Sequence, residues 1–151
     1  MELKNHRLRL KTKHVDFKYQ LKLQLLEQEM LKTMLKHGGI GLAANQIGLL
    51  ESVFIIKLES DTEHTAYWNP KITEFHGEII SYSEGCLSYP NKFCEIYRSS
   101  IIDIEYYNNK GELQSQRLDG LRARVAQHEY DHLIGKTMYD RLEEQELKNA
   151  K

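Results

Sequence analysis

Between Phe17 and His37 apolar residues recur every three or four positions: Leu21, Leu25, Leu26, Met30, Met34 and Leu35, with Gly38-Gly39 behind them. That spacing predicts a helix with one apolar stripe turned to a core, stopped by the glycine pair. Beyond Ile47 the pattern changes. Ser52–Leu58 is rich in β-branched residues, and Thr65–Phe75 carries Tyr67, Trp68, Ile72 and Phe75 around Asn69-Pro70. Glu78–Tyr82 follows Gly77, and Glu95–Tyr107 is a long β-rich run. A turn at Asn108–Gly111 then leads to a return strand over Glu112–Leu118. After Asp119-Gly120 the period becomes helical again, with Leu121, Val125, His128 and His132 on one face and Gly135 closing the helix. Helix, several strands, helix is the order of an α+β fold with a mostly antiparallel sheet. The basic stretch 1–15 reads as a solvated arm, and the charged stretch Glu143–Lys151 as a solvated tail.

The chain has 151 residues. That length argues for one domain, over residues 1–151, with enough surface to bury for a proper core. With 28% charged and 40% hydrophobic residues, the composition is that of neither a disordered chain nor a membrane protein. Lys and Arg total 21 against 22 Asp and Glu, so charge gives no general pull toward nucleic acid or anionic lipid. Two cysteines, Cys86 and Cys94, are too few for a disulfide scaffold, and no signal peptide is visible. The expectation is a reduced, cytoplasmic globular domain, monomeric, with no membrane and no nucleic acid among its partners.

The chemistry concentrates in His128-Glu129-Tyr130-Asp131-His132. On a helix, a spacing of four puts both imidazoles on one side, one turn apart, where they can bind one ion. Glu129, beside the first ligand, can take a proton from a water activated there. A catalytic site needs a third protein ligand. Met138 stands where a further histidine would extend the motif, and Glu143, Glu144 and Glu146 lie in the charged tail. The remaining soft ligand in a distinctive setting is Cys86, within Glu84-Gly85-Cys86-Leu87-Ser88. A further stretch, Gly39–Gln46, combines small residues that allow close backbone approach with a terminal amide able to donate to an oxyanion. It matches neither a dinucleotide fingerprint nor a P-loop, and taken alone it also reads as a helix end and a turn.

Together the three segments resemble the motifs of the peptide deformylase family, G-x-G-L-A-A-x-Q, E-G-C-L-S and Q-H-E-x-D-H, in the family's order. Trp68-Asn69-Pro70 is similar to the family's hydrophobic-Asn-Pro segment, and Arg98 falls where a family arginine follows the second motif. The similarity runs from about Leu8 to Leu142. It implies antiparallel strands packed around a central helix carrying the third motif. It also implies one divalent metal ion held by Cys86, His128 and His132: ferrous iron (Fe2+) natively, with zinc (Zn2+), nickel (Ni2+) or cobalt (Co2+) accepted. The implied reaction removes the formyl group from N-formylmethionyl nascent peptides and releases formate. In it Glu129 would move the proton, and Gln46 with the Leu87 backbone N–H would meet the oxyanion. Gly41, Leu42 and Tyr89 would contact substrate, with Leu121 a further wall of the methionine pocket.

The chain departs from the family at both ends. No proline precedes Pro70, and only Glu143–Lys151 stands in place of the long final helix of larger bacterial members, a compactness similar to that of phage-encoded ones. The resemblance also implies a transient ribosome contact, for which this short tail would be the docking element. A peptidase would use the same metal and Glu129. A closed structural site would need a fourth ligand, for which Cys94 is the only other cysteine.

Overall fold

The computed structural model describes residues 1–149. A 3-10 turn, Phe17–Tyr19, leads into α1 (Gln20–Lys36). The strands are β1 (Gly41–Ala43), β2 (Val53–Ile56), β3 (Thr65–Cys86), β4 (Tyr89–Tyr107) and β5 (Leu113–Asp119). Two helices, α2 (Gly120–Leu133) and α3 (Met138–Asn149), complete the order. The strands form one sheet in the order β1-β2-β3-β4-β5, and every neighbouring pair is antiparallel. The fold is α+β, as the sequence pattern implies.

β2 explains how the two helices find their places. Its four residues are all buried, and successive side chains leave a strand on opposite faces. Val53 and Ile55 join Leu23, Leu26, Met30 and Met34 of α1, while Phe54 and Ile56 join Ala123, Val125, Ala126 and Leu133 of α2. β1 divides the same way, with Leu42 in the α1 cluster and Ala43 in the α2 cluster. The sheet is thus sandwiched where β1 and β2 run, and α2 is the central helix.

β3 and β4 are far longer than the strands the sequence predicts. Thr65–Phe75 and Glu78–Tyr82 are one strand, continued through Glu84–Cys86 and interrupted by register shifts rather than by loops. Gly77 sits at one of these with φ 74°, where a Cβ would fall 2.3 Å from Ser100 Oγ. Such a bulge bends the ribbon and increases its twist. The hairpin ends in a two-residue connection, because Cys86 already pairs with Tyr89.

Two further expectations need correction, and a third is extended. The α1 stripe is shifted: Leu21, Leu25 and Leu35 are 70%, 59% and 53% exposed, while Glu27 and Thr33 are buried beside Leu23, Leu26, Met30 and Met34. α1 is leucine-rich on several sides, so spacing alone could not choose the inward face. Residues 1–15 are no free arm. Leu8 is buried, Lys4 and Lys13 form parallel bridges to Ile47 and Glu51, and the Thr12 N–H donates to Leu133 O at 2.9 Å. The charged stretch 143–149 is largely exposed, as expected of a solvated tail, but it is helical, the continuation of α3, which the buried Met138 anchors. Ala150 and Lys151, the end of that stretch, lie outside the described residues.

Candidate active site

α2 carries His128, Glu129 and His132, and its second half is buried although five of its residues are polar: Gln127, His128, Glu129, Asp131 and His132. Buried polar groups require partners. Gln127 Nε2 donates to Ser99 O at 2.8 Å, and His128 Nδ1 meets Glu84 Oε1 at 2.9 Å. Asp131 accepts from Arg98 and Arg141. Two buried atoms of this helix are left without a protein partner, Glu129 Oε2 and His132 Nδ1.

The β3–β4 hairpin end brings Cys86 to this helix. Its Sγ lies 3.4 Å from His132 Nε2, and the donor atoms of Cys86, His128 and His132 all fall within 4.8 Å of one another. Ligand atoms ~2.0–2.3 Å from a tetrahedral ion stand about 3.5 Å apart, so the Cys86–His132 separation fits a shared divalent ion. One thiolate and two imidazoles suit zinc or ferrous iron. The Nδ1 contact to Glu84 leaves the other nitrogen of His128 free to ligate, the usual arrangement for a metal-binding histidine. Burial, with His128 and Arg98 nearby, pushes His132 well below the ordinary histidine value, so it is neutral with a lone pair to offer. Burial also raises Glu129, to about 7. Glu84 is the opposite case: burial works against its charge, but the bonds from His128 and Arg98 hold it down at about 2.

An open cleft of about 780 Å³ reaches this cluster, lined among others by Gly41, Cys86, Leu87, Tyr89, Leu121 and Glu129. Gln46 is buried behind it. Its Oε1 accepts from the Ala43 N–H at 2.9 Å, which turns the Nε2 group toward Ser88 Oγ, at 3.1 Å, and Cys86 Sγ, at 3.6 Å. Within Gly39–Gln46, Gly39 belongs to the turn that ends α1, its N–H donating to Met34 O at 3.0 Å, and the stretch continues as β1 and a 3-10 turn, Ala44–Gln46. Leu42 does not reach the cleft with its side chain, which is 0% exposed in the α1 cluster. The β alternation that turns Leu42 inward toward α1 is the reason. Gly41 lies against α2 so closely that a Cβ there would stand 2.7 Å from Val125 Cγ1 and 3.1 Å from Glu129 Cγ. Cys94, unlike Cys86, is packed away with Ile96 and Met138.

The model of the polypeptide deformylase family matches residues 1–148. The chain belongs to that family. The peptide deformylase of Thermotoga maritima is 39% identical over 125 residues, covering 83% of this chain and 75% of the relative. The crystal structure of a Thermotoga maritima peptide deformylase superposes with a TM-score of 0.86 at 37% identity, covering 94% of this chain and 95% of that one. A probable peptide deformylase from Synechococcus phage S-SSM7 gives 0.84 at 36% identity, covering 92% and 99%.

Sequence reasoning missed what stands behind this deformylase-family site. Glu84 was legible only as a motif letter; in the fold it receives His128 Nδ1, both Nε and NH2 of Arg98, at 2.5 and 3.0 Å, and Arg124 NH1 at 2.7 Å. Arg98 also donates to Asp131 at 2.9 Å. A second group of potential ligands, Glu74, His76 and Asp103, lies on the sheet surface. There Arg117 occupies both Asp103 oxygens and approaches His76 Nε2, so the donors are already engaged. Among the described residues no helix is long and apolar enough to cross a membrane.

Proposed function

We propose that Cys86, His128 and His132 hold the metal, that Glu129 carries the proton, and that Gln46 and the Leu87 N–H bind the oxyanion. As a member of its family the chain is a metal-dependent hydrolase that removes the N-formyl group from nascent peptides. The observation that carries the assignment is the convergence of one thiol and two imidazoles at an open cleft, with a partnerless carboxylate oxygen on Glu129 beside them. A divalent ion there supplies Lewis acidity, which makes water a usable nucleophile near neutral pH.

Glu129 Oε2, buried and without a partner, accepts the proton that water loses as its oxygen adds to the formyl carbon. The carbonyl oxygen becomes negative as that bond forms. Gln46 Nε2 is preset to donate to it, because its own carbonyl is tied to the Ala43 N–H. A donor held in place this way, exchanging Ser88 Oγ or Cys86 Sγ for the oxyanion, is worth ~100–1,000-fold in rate. Glu129 then returns the proton to the amine nitrogen as the C–N bond breaks, giving formate and a free N-terminus. Gly41 and Tyr89 border the substrate's path in the cleft, and Leu121, half exposed at its mouth, supports an apolar wall for the methionine side chain.

Ferrous iron is the proposed native ion, with zinc, nickel or cobalt as substitutes, because a thiolate with two imidazoles excludes none of them by affinity. The Cys86 thiolate is open to stepwise oxidation, so iron-loaded protein should lose activity in air while the nickel form endures. The decisive test is formate release from formyl-Met-Ala-Ser by iron, nickel and zinc forms, prepared with and without oxygen. Equal rates and lifetimes in all forms would remove the metal from the chemistry. Cleavage of N-acetylated or internal peptides at the same rate would favour a peptidase.

A further inference from the structure

We infer that α3 is a clamp on the metal centre and that Arg141 is its positioning residue, acting through Asp131, Arg98 and Glu84 on His128. The inference rests on the metal reading above. Two independent sets of contacts point to it, one for each side of the ligand cluster.

On the histidine side the contacts form an unbroken chain of charge-assisted bonds. Arg141 grips Asp131 with two nitrogens, Nε at 3.0 Å and NH2 at 2.7 Å. Asp131 takes Arg98 NH1 at 2.9 Å, Arg98 holds both oxygens of Glu84, and Glu84 fixes His128 Nδ1 at 2.9 Å. The inner members, Asp131, Arg98 and Glu84, are buried, and Asp131 is also the helix neighbour of His132. Without Arg141, Asp131 keeps Arg98 alone, and Arg98 is shared with Glu84, which Arg124 NH1 also holds at 2.7 Å. Arg98 is then drawn toward Asp131, its double hold on Glu84 loosens, and the orientation of the His128 ring is no longer fixed. Groups that orient a metal-bound histidine typically change metal affinity ~10–100-fold.

On the cysteine side the contacts are apolar. Met138, at the start of α3, packs with Cys94 and Ile96, and Cys86, Tyr89, Tyr139 and Leu142 pack around them. The Tyr89 and Tyr139 rings meet edge to face at 5.0 Å. α3 is tied down in turn: Asp140 accepts the Thr137 N–H at 2.7 Å and pairs with Arg9 of the N-terminal segment. A helix that the sequence presents as a charged tail therefore touches the supports of both ligand types.

The test uses the full chain loaded with cobalt, comparing wild type, Arg141→Met, Arg141→Lys and, as a control, Arg122→Met. Arg122 pairs with Asp61. Three quantities are read: the rate of cobalt transfer to a chelator, the visible absorption of the bound cobalt, and the thermal midpoint. Arg141→Met should release cobalt roughly tenfold faster, the low end of the range for groups acting on a ligand, and shift the cobalt bands. Arg141→Lys should fall between it and wild type. Arg122→Met should lower the midpoint without changing release or spectrum. Wild-type release by Arg141→Met, or release that simply follows the midpoint in all variants, would overturn the clamp. If Arg141→Met does not fold, Arg141→Lys decides alone, and wild-type release by that variant overturns the inference. Absence of a thiolate-to-cobalt band in wild type would instead bring down the metal reading itself.

Discussion

Replacing Gly41 with alanine adds one methyl group at the point where β1 passes the catalytic helix. Gly41 has an ordinary backbone conformation, so the effect is one of space rather than of strain. The new Cβ would lie 2.7 Å from Val125 Cγ1 and 3.1 Å from Glu129 Cγ. To restore contact at 3.4 Å, β1 and α2 must separate by about 0.7 Å at Val125. Neither neighbour can swing aside cheaply, because Val125 belongs to the core cluster and Glu129 is buried. Overpacking of this kind costs about 1–3 kcal/mol. At Glu129 Cγ the same contact asks for a shift of about 0.3 Å, a fraction of the ~1 Å misplacement that costs on the order of 100-fold in turnover. The expected result for Gly41→Ala is therefore a folded protein, somewhat less stable, with full metal content and kcat for a formyl-Met peptide reduced by roughly 3–10-fold. Formate release, metal analysis and a thermal melt on one preparation measure all three. A variant with wild-type kcat and an unchanged melt would show that the approach of β1 to Glu129 has no functional weight.

Three other outcomes follow from the same geometry. Glu129→Gln should keep one metal per chain and lose ~100–10,000-fold in turnover; metal loss as severe as in His132→Ala would reassign Glu129 as a ligand. Cys86→Ala should bind metal far more weakly, whereas Cys94→Ala should cost only about 1 kcal/mol of stability; equal metal loss in both would point to a structural site. The third concerns Glu27, which burial would raise but which bonds from His64, Trp68 Nε1 and Asn109 hold below the ordinary carboxylate value. A depressed folded pKa contributes stability above the unfolded value of about 4.3 and loses it as pH falls through the folded one. Glu27→Gln should thus cost about 1.5–3 kcal/mol at pH 7, and the difference should shrink below pH ~4; an equal difference at pH 7 and pH 3 in denaturant melts would contradict the assignment.

What the sequence made legible were features that need only local spacing. The four-residue step from His128 to His132, the glycines that end α1 and α2, and the β-rich runs all act within one element. What it hid were the long-range decisions. Nothing local distinguishes Leu25, exposed, from Leu23, buried, because the choice is made by β1 and β2 on the other side of the contact. Leu42 illustrates the same limit inside a motif. It stands between Gly41 and Ala43 in a strand three residues long, so the pleat alone sends it to α1 and away from the cleft.

The charged residues behind the site were hidden for a different reason. Glu84, Arg98 and Asp131 stand in or near the recognised motifs, but nothing local shows that they bond to one another, and Arg141 lies outside every motif in a chain in which 28% of residues are charged. Only the fold shows that four of these common surface residue types are spent on orienting one imidazole. That placement is also informative about the helix that carries it. α2 buries five polar side chains in its second half, an arrangement that packing alone would not favour, since an apolar helix could cover the same sheet at lower cost. Gln127, His128 and Asp131 have partners within the protein, whereas Glu129 Oε2 and His132 Nδ1 are buried without one. The polar burden of α2 thus fits the proposed chemistry: Glu129 Oε2 is left open to take a proton, and His132 presents Nε2, not its partnerless Nδ1, to Cys86 Sγ.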